Sequence, residues 1–427
     1  MNFPTFDRQK EIYLDGFAGR FPHVPVSCAA LEEAASKKMS TQAYAYIAGG
    51  AGNESTLRNN RLAFEKVSIV PRMLRNVSER DTTIELFGKT LRAPLLLAPI
   101  GVLEMADAGA DVDVGRAAAS LGVPYIFSSQ ASRPMEQVAS AMGDNPRWFQ
   151  LYWSKSNDLV RSFVQRAEKS GCSAIVVTLD TTVLGWRTRD LDLAYLPFLE
   201  GKGIAQYTSD PIFQKLMDEK EPPARRRVTM QSVSGLIQMV KNYPGGNFFS
   251  KLMSGRPVKA VQKFIGIYSN PALTWEDLKF LRTVTQLPVV LKGILSADDA
   301  RKALDFGVNG IIVSNHGGRQ VDGSISTLEA LPAVVDAAAG KIPVLLDSGI
   351  RGGADVFKAL ALGAKAVCLG RPYVYGLALA GEQGVQEVIQ NVLTEFELTM
   401  ALAGCKNISE ITKHCLSSSS AFRFQQS

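Results

Sequence analysis

Residues 311–322 read Ile-Ile-Val-Ser-Asn-His-Gly-Gly-Arg-Gln-Val-Asp, so that a short apolar run ends in a polar, glycine-rich segment. An apolar run of this length, bounded by turn-forming residues, is typical of a strand buried in a parallel sheet. The run places His316 and Arg319 together at its polar end. A histidine can remove a proton near neutral pH and an arginine can grip a carboxylate in bidentate fashion, although a lone histidine is more often structural.

The same pattern recurs along the chain. Apolar runs alternate with segments of helical periodicity, which predicts repeated βα units and a parallel sheet. The predicted strands cover residues 95–98, 125–128, 148–151, 174–179, 289–291, 310–314, 344–346 and 366–369. Eight strands close a (β/α)8 barrel, so the predicted fold is α/β, a TIM barrel.

Helices are predicted between and around these strands. The covering helices fall at residues 113–121, 134–142, 159–170, 275–285, 298–306, 328–339 and 353–362. Residues 30–48 are predicted as a helical cover before the barrel, and residues 387–402 as a terminal helix. We expect one domain over residues 1–427, with a barrel core at about 93–380.

A long insertion, residues 196–269, follows the fourth predicted strand. A structureless loop of that length is improbable in a compact domain, so the insertion is a lid, an oligomer contact or a partly disordered segment. A helix is predicted over residues 232–240. Tyr207 is placed over the substrate, with ordinary packing as the alternative.

Composition narrows the class of protein. The 427 residues are 46% hydrophobic and carry a net charge of +6, but only Arg225, Arg226 and Arg227 cluster, which we interpret as a solvated loop and not a nucleic-acid site. The five cysteines are odd in number and lack metal-ligand spacing, which predicts reduced thiols, no metal site and a cytoplasmic protein. No apolar run is long enough to span a bilayer.

The ends of the predicted strands carry chemistry. In TIM barrels the site lies at the carboxyl ends of the strands. The residues found there are Pro99, Ile100, Gly101, Ser128, Gln150, Tyr152, Thr178, Asp180, Lys292, Ser314, His316, Asp347, Gly370 and Arg371. Each one alone could be a turn former or a strand cap, but their recurrence at every strand end predicts a polar site.

The last two units predict a phosphate site. Asp347-Ser348-Gly349-Ile350-Arg351 and Gly370-Arg371 form glycine-containing loops after strands seven and eight. Backbone amides of such loops, helped by a helix amino terminus, cradle phosphate in many barrels. A phosphorylated cofactor or substrate is therefore expected.

These residues resemble the FMN-dependent 2-hydroxy acid oxidase and dehydrogenase family over about residues 44–380, with residues 314–320 as the most specific stretch. Within the family, residues 146–155, 178–187 and 207–215 are most similar to lactate 2-monooxygenase. The resemblance implies FMN as cofactor, a 2-hydroxy acid and O2 as small-molecule partners, and a homo-oligomer of four or more copies.

The resemblance also implies roles. His316 would take the substrate hydroxyl proton as hydride leaves the α-carbon, a carbanion route being the rival, and Asp180 would stabilise the imidazolium. The alternative for Asp180 is a helix cap. Arg187 and Arg319 would clamp the substrate carboxylate. Tyr46 would add a hydrogen bond, with core packing as its alternative, and Tyr152 would reach the hydroxyl.

The remaining implied roles concern the cofactor. Lys292 would sit by the pyrimidine end of the flavin, where negative charge accumulates on reduction. Contacts to the ring are implied for Pro99, Ile100, Gly101, Ser128, Gln150, Thr178 and Ser314. Contacts to the ribityl chain and phosphate are implied for Asp347, Ser348, Gly349, Ile350, Arg351, Gly370 and Arg371.

Two departures bear on the reaction. Glycolate oxidases of this family have Thr-Ala where this chain has Ile100-Gly101, and an aromatic residue where it has Gln130. We hypothesise that the missing methyl at Gly101 opens room for oxygen or product, so that lactate and O2 give acetate, CO2 and water. The alternatives are an oxidase that releases H2O2, a dehydrogenase linked to a quinone or cytochrome, and a non-catalytic flavin-binding protein.

Overall fold

Eight parallel strands close into a barrel in the computed structural model, which describes residues 5–219 and 230–418. The strands are β1 (Leu95–Leu97), β2 (Tyr125–Phe127), β3 (Arg147–Leu151), β4 (Ile175–Thr178), β5 (Val289–Ile294), β6 (Gly310–Val313), β7 (Val344–Leu346) and β8 (Ala366–Leu369). Each strand pairs with the next, and β8 pairs with β1 through Leu369 and Leu97. The predicted TIM barrel is confirmed.

Helices follow every strand and surround the barrel. They are α1 (Ala110–Ser120), α2 (Met135–Met142), α3 (Asn157–Lys169), α4 (Asp277–Val284), α5 (Ala297–Asp305), α6 (Thr327–Ala338), α7 (Gly353–Ala361) and α8 (Arg371–Leu402). Helix α3 shows why they form: the Ser156 hydroxyl caps it by accepting a hydrogen bond from Leu159 N at 3.3 Å. Leu159, Phe163 and Val164 then recur at helical spacing on its buried face.

Two predicted helices differ from those observed. Residues 30–48 form two helices, Cys28–Lys38 and Thr41–Ala48, because Met39 is extended and the Ser40 hydroxyl caps the second by accepting from Ala43 N at 3.2 Å. The cover also contains helices Thr5–Phe17 and Ser55–Glu65. The terminal helix begins at Arg371 and not at 387, with Pro372 in its first turn, and its geometry is interrupted at Ala380 and Gly381.

The barrel interior is an apolar core that supports the site from below. Alternate strand residues such as Trp148, Val290 and Ile312 form one buried cluster. The hairpin Ile84–Leu86 and Lys89–Leu91 contributes Ile84, Leu86 and Leu91 to the same cluster. The packed interior makes the strand ends a rigid platform for side chains.

The insertion between β4 and α4 is helical where the structure describes it. Its elements are Pro197–Glu200, Ala205–Thr208, Pro211–Leu216, Met230–Asn242, Phe248–Ser254 and Arg256–Ile267. The helix predicted at 232–240 lies inside one of these. The arginine cluster at Arg225, Arg226 and Arg227 lies outside the described residues.

Over the described ranges, no helix combines the length and apolar character needed to cross a bilayer. All five cysteines are free thiols. No group of three or more His, Cys, Asp or Glu side chains within 5–219 and 230–418 is arranged to hold a metal ion.

Candidate active site

A cavity opens at the carboxyl ends of the strands. Residues that follow or end all eight strands line it, together with residues of the amino-terminal cover and the insertion. The predicted site residues found in its wall are Tyr46, Pro99, Ile100, Gly101, Gln150, Tyr152, Thr178, Arg187, Lys292, His316, Arg319, Asp347, Ser348, Gly349, Ile350, Arg351, Gly370 and Arg371. The barrel therefore brings most of the predicted set together.

His316 lies where the chain leaves β6. Its φ of 56° is in the left-handed region, and Gly317 and Gly318 follow with φ of 67° and 74°. The Asn315 side chain holds the turn by accepting from Gly318 N at 3.1 Å, and it exchanges two hydrogen bonds with Asn60, at 2.9 and 2.7 Å. A left-handed histidine is uncommon, and this network keeps its imidazole in the cavity wall.

The two nitrogens of His316 have different surroundings. Nδ1 lies 2.6 Å from Asp180 Oδ1 and 3.2 Å from Thr181 Oγ1, whereas Nε2 lies 3.4 Å from Tyr152 Oη in the cavity wall. A hydrogen bond from Nδ1–H to Asp180 leaves Nε2 as the proton acceptor. Burial lowers the pKa of His316, and the opposing effect of Asp180 does not restore it. The ring is therefore neutral at neutral pH.

Lys292 links this pair to Asp347 at the end of β7. Its Nζ donates to Ser314 Oγ at 2.8 Å and lies 3.3 Å from Asp347 Oδ2 and 3.6 Å from Asp180 Oδ2. Burial would lower the pKa of Lys292, but Asp180 and Asp347 raise it. Burial would likewise raise the pKa of Asp180, but Lys292 and His316 lower it. The site thus holds a buried cation between two carboxylates.

Two guanidinium groups form a separate positive region. Arg319 lies over the Tyr46 ring at 4.9 Å and donates to the carbonyl oxygens of Tyr46 and of Gly49, the latter at 3.0 Å. Arg187 donates to Gln320 Oε1 at 3.2 Å. Burial, followed by the nearby Arg187 charge, lowers the pKa of Arg319 to about 9. An anion bound between the two guanidinium groups would offset both the cost of burying the Arg319 charge and its repulsion by Arg187.

The predicted phosphate end is built from the β7 and β8 loops. Ser348 and Gly349 have φ of 69° and 99°, and a Cβ added at Gly370 would meet nothing closer than 3.8 Å. The Arg371 guanidinium donates to the carbonyl oxygens of Ile47, Gly49 and Gly317 at 2.9, 2.9 and 3.1 Å, so it braces neighbouring loops. The open approach to Gly370, at the start of α8, leaves backbone amides for a phosphate.

The amino terminus of helix α7 is already occupied by a carboxylate. Its first amides, Gly353 N and Ala354 N, donate to the Glu395 carboxylate at 2.8 and 3.4 Å. Of the two helices that follow the phosphate loops, the structure therefore leaves α8 as the one suited to an anion.

Comparison with known proteins agrees with this geometry. The sequence matches the FMN-dependent dehydrogenase family over residues 35–418. It is 43% identical over 384 residues to an L-lactate oxidase of Lysinibacillus sphaericus, covering 90% of each chain. It is 40% identical over 417 residues to an FMN-dependent alpha-hydroxy acid dehydrogenase of Penicillium citrinum, covering 97% of this chain and 96% of that one. The chain belongs to the FMN-dependent dehydrogenase family.

The fold of this family member has solved counterparts. A crystal structure of mandelate oxidase with (S)-4-hydroxymandelic acid matches it with a TM-score of 0.76 and 36% identity, covering 92% of this chain and 99% of that one. The relatives carry names of 2-hydroxy acid oxidoreductases, and this chain is an enzyme of that broad class.

FMN is the cofactor of the family, and the cavity fits it. Gln150 Nε2 and Thr178 Oγ1 are buried side-chain atoms of lining residues that have no hydrogen-bond partner in the described part of the chain. Gln150 is oriented because its Oε1 accepts from Ser128 Oγ at 3.2 Å and from Ser129 N at 3.1 Å. Buried polar atoms are seldom left unpaired, so these two atoms are suited to hydrogen-bond the polar edge of a ligand such as a flavin ring.

Three predicted residues lie behind the cavity wall and reach it through a neighbour. Ser128 orients Gln150, Ser314 accepts from Lys292, and Asp180 contacts His316. The implied contacts of Ser128 and Ser314 with the flavin ring stay a prediction.

Tyr207 is the residue whose predicted position differs most. It is fully buried and packs edge-on against Phe163, Phe213 and Phe264, with ring centroids 5.0, 5.4 and 4.8 Å away. It does not line the cavity. The placement over the substrate was wrong because the short helix Ala205–Thr208 turns this ring into the aromatic core of the insertion.

The insertion reaches the cavity through other residues that sequence reasoning missed. Tyr268, at the end of helix Arg256–Ile267, and Phe198 line the cavity. Two residues outside the insertion, Leu184 after β4 and Gln130 after β2, line it as well. Tyr268 stacks on Phe264 at 5.0 Å and 18°. No motif marks these residues, although Gln130 stood out as a polar residue at an aromatic position of the family.

Proposed function

We propose that this enzyme oxidises an (S)-2-hydroxy acid to the 2-oxo acid with O2 as electron acceptor. The observation that carries the proposal is His316 Nε2 in the cavity wall, backed at 2.6 Å by Asp180 on the other nitrogen, in the same cavity as Arg187 and Arg319. A base beside a carboxylate clamp is the arrangement that a 2-hydroxy acid requires.

The clamp acts first. The substrate carboxylate binds between Arg187 and Arg319, where it replaces water and offsets the repulsion between the two cations. Tyr46 packs beneath Arg319 and keeps its guanidinium in place. With the carboxylate fixed, the α-carbon and its hydroxyl are confined near His316 and Tyr152.

Proton removal follows from the histidine pair. His316 Nε2 takes the hydroxyl proton, and the Asp180 carboxylate, kept ionised by Lys292, stabilises the imidazolium that forms. Tyr152, whose pKa burial raises to about 12, stays protonated and donates to the substrate oxygen. A bound FMN would supply the acceptor for the hydride that leaves the α-carbon, with O2 as the final electron acceptor.

Lys292 supplies fixed positive charge at the base of the cavity. Because Asp180 and Asp347 hold it protonated, its charge is present throughout the reaction and needs no rearrangement. Thr178 and Gln150 would hold the flavin ring, and the loops at Ser348 and Gly370 would hold the ribityl phosphate.

The experiment that tests this proposal measures O2 consumption by the FMN-loaded enzyme with short and long (S)-2-hydroxy acids. One O2 consumed for each 2-oxo acid formed is expected. Turnover with a quinone or cytochrome but negligible O2 uptake would instead show a dehydrogenase.

A second candidate is the decarboxylating reaction of a lactate 2-monooxygenase. The hypothesis that Gly101 opens free room does not hold, since a Cβ added there would lie 2.9 Å from Gln130 Cβ and that space is filled. What favours the candidate is that Phe198 and Tyr268 of the insertion line the cavity, where they would help to retain a 2-oxo acid while peroxide attacks it.

Product analysis in air separates the two candidates. With lactate, release of CO2 and acetate without free H2O2 supports the monooxygenase route. Stoichiometric H2O2 and pyruvate would reject it and leave the simple oxidase.

A further inference from the structure

Gln130 is a polar residue of the cavity wall that the proposed chemistry does not use. It follows β2, is only 7% exposed and lines the cavity. Its backbone is satisfied, since its carbonyl oxygen accepts from Val102 N at 2.9 Å and its N–H donates to Ser128 Oγ at 3.0 Å. Its side-chain amide makes no hydrogen bond to any residue in the described part of the chain. The amide is accessible from the cavity, so a ligand that displaces water there must pair with it or leave it unsatisfied.

Gly101 determines where this amide lies. A Cβ at residue 101 would meet Gln130 Cβ at 2.9 Å, the Gln130 carbonyl oxygen at 3.0 Å and Gln130 Oε1 at 3.5 Å. The glutamine side chain therefore lies over the α-carbon of Gly101 and fills the place of a methyl group. The glycine and the glutamine form one structural unit in the wall.

This unit is connected to the carboxylate clamp by an aromatic wall. The Tyr46 ring lies against Arg319 at 4.9 Å and edge-on to the Phe198 ring at 6.4 Å. Phe198 and the Gln130 backbone both approach Gly203, where an added Cβ would lie 3.1 Å from Phe198 Cε1 and from the Gln130 carbonyl oxygen, and both residues line the cavity. A substrate held at Arg319 would extend its side chain along these rings toward the amide.

We propose that Gln130 selects the substrate, which is a 2-hydroxy acid with a neutral hydrogen-bonding group, a hydroxyl or an amide, at the far end of its side chain. This inference rests on the proposed function and deepens it. The group is neutral because the amide and its neighbours Gly101 and Phe198 offer no charge to balance one. A site that pairs such a group discriminates against the isostere that lacks it, since the amide is then left unpaired.

Isosteric substrate pairs test the inference. (S)-2,4-Dihydroxybutanoate is compared with (S)-2-hydroxypentanoate, and (S)-2,5-dihydroxypentanoate with (S)-2-hydroxyhexanoate, so that each pair exchanges a hydroxyl for a methyl. For at least one pair, the FMN-loaded enzyme is expected to favour the hydroxyl compound by about 10-fold or more in kcat/KM. In the Gln130→Met variant, which keeps the side-chain length, the ratio is expected to fall to within about 3-fold of unity.

Leu184→Met is the matched control, because Leu184 lines the same cavity but has no polar group. It is expected to keep the wild-type ratio. FMN affinity of all three proteins, measured by flavin fluorescence, shows whether each variant has folded and whether the amide serves the cofactor.

The outcomes are distinct. Wild-type ratios near unity for both pairs, or ratios unchanged in Gln130→Met, overturn the inference while leaving the proposed function intact. A loss of FMN affinity in Gln130→Met with an unchanged ratio overturns it by assigning the amide to the cofactor. If none of the four acids or lactate consumes O2, the proposed function fails and this inference falls with it.

Discussion

The two halves of the cavity wall are built by different forces. On the barrel half, His316, Asp180 and Lys292 are joined by hydrogen bonds and ion pairs, at 2.6 Å between the first two and 3.6 Å between the last two. On the insertion half, Phe198 and Tyr268 are held by ring packing, with centroids 6.4 Å apart. The charged groups, which need a fixed geometry, lie on the rigid barrel. The shape of the other half of the cavity is set by the insertion, whose sequence can change without disturbing the barrel.

The two halves of the cavity wall should therefore affect different kinetic constants. Substitutions of His316, Asp180 or Lys292 on the barrel half should lower the rate of oxidation, because these groups take or stabilise charge during the reaction. Substitutions on the insertion half should change KM and substrate preference, because they alter only the surface that a substrate side chain contacts.

His316→Gln should have the largest effect. Glutamine cannot accept the hydroxyl proton, so the rate constant for anaerobic flavin reduction is expected to fall by about 10³-fold or more, while FMN stays bound. Stopped-flow absorbance measures the rate, and flavin content measures binding. A residual rate within about 10-fold of wild type would show that His316 is not the base.

Asp180→Asn should have the next largest effect and a pH signature. An unprotonated base is required, so kcat/KM should fall as pH drops through the pKa of His316, which burial places below its ordinary value of about 6.5. Asp180 raises that pKa, so the variant should move the acid limb to lower pH while the plateau falls by about 10²-fold. An acid limb that moves to higher pH would contradict the pairing.

Arg319→Lys keeps the positive charge but loses the bidentate fork. KM is expected to rise by about 10- to 100-fold, with a smaller change in kcat, because the carboxylate is bound less well in the ground state and transition state alike. Steady-state kinetics with a saturable substrate measures both constants. Lys341→Arg, remote from the cavity, serves as the control for the exchange of one cation for another.

The smallest effect compares two tyrosines of the insertion. Tyr268→Phe removes a hydroxyl from a residue that lines the cavity, so KM should change by about 2- to 10-fold. Tyr207→Phe removes the same atom from a ring enclosed by Phe163, Phe213 and Phe264, so KM should stay within about 2-fold. A larger KM change for Tyr207 than for Tyr268 would reverse the placement of the two residues.

The same division explains what the sequence could predict. Strands β7 and β8 were predicted with their observed bounds, and His316 and Asp180 were predicted at strand ends, because a closed barrel fixes where each apolar run delivers its polar end. The early start of α8 at Arg371 was missed because its first residues had been assigned entirely to the phosphate loop.

No comparable rule predicts where the side chains of the insertion lie. Its helices are positioned by contacts among rings distant in sequence, so spacing alone could not tell whether Tyr207 or Tyr268 faces the cavity. The filling of the Gly101 site by Gln130 was also hidden, since it depends on the approach of two loops that follow different strands.

Anaerobic mixing of the FMN-loaded enzyme with a panel of (S)-2-hydroxy acids tests the central claim most directly. At least one acid is expected to bleach the flavin absorbance and to yield one equivalent of 2-oxo acid, whereas His316→Gln, mixed with the same acid, is expected to stay oxidised on that timescale. Flavin that remains fully oxidised with every acid, in a protein shown to bind FMN, would contradict it.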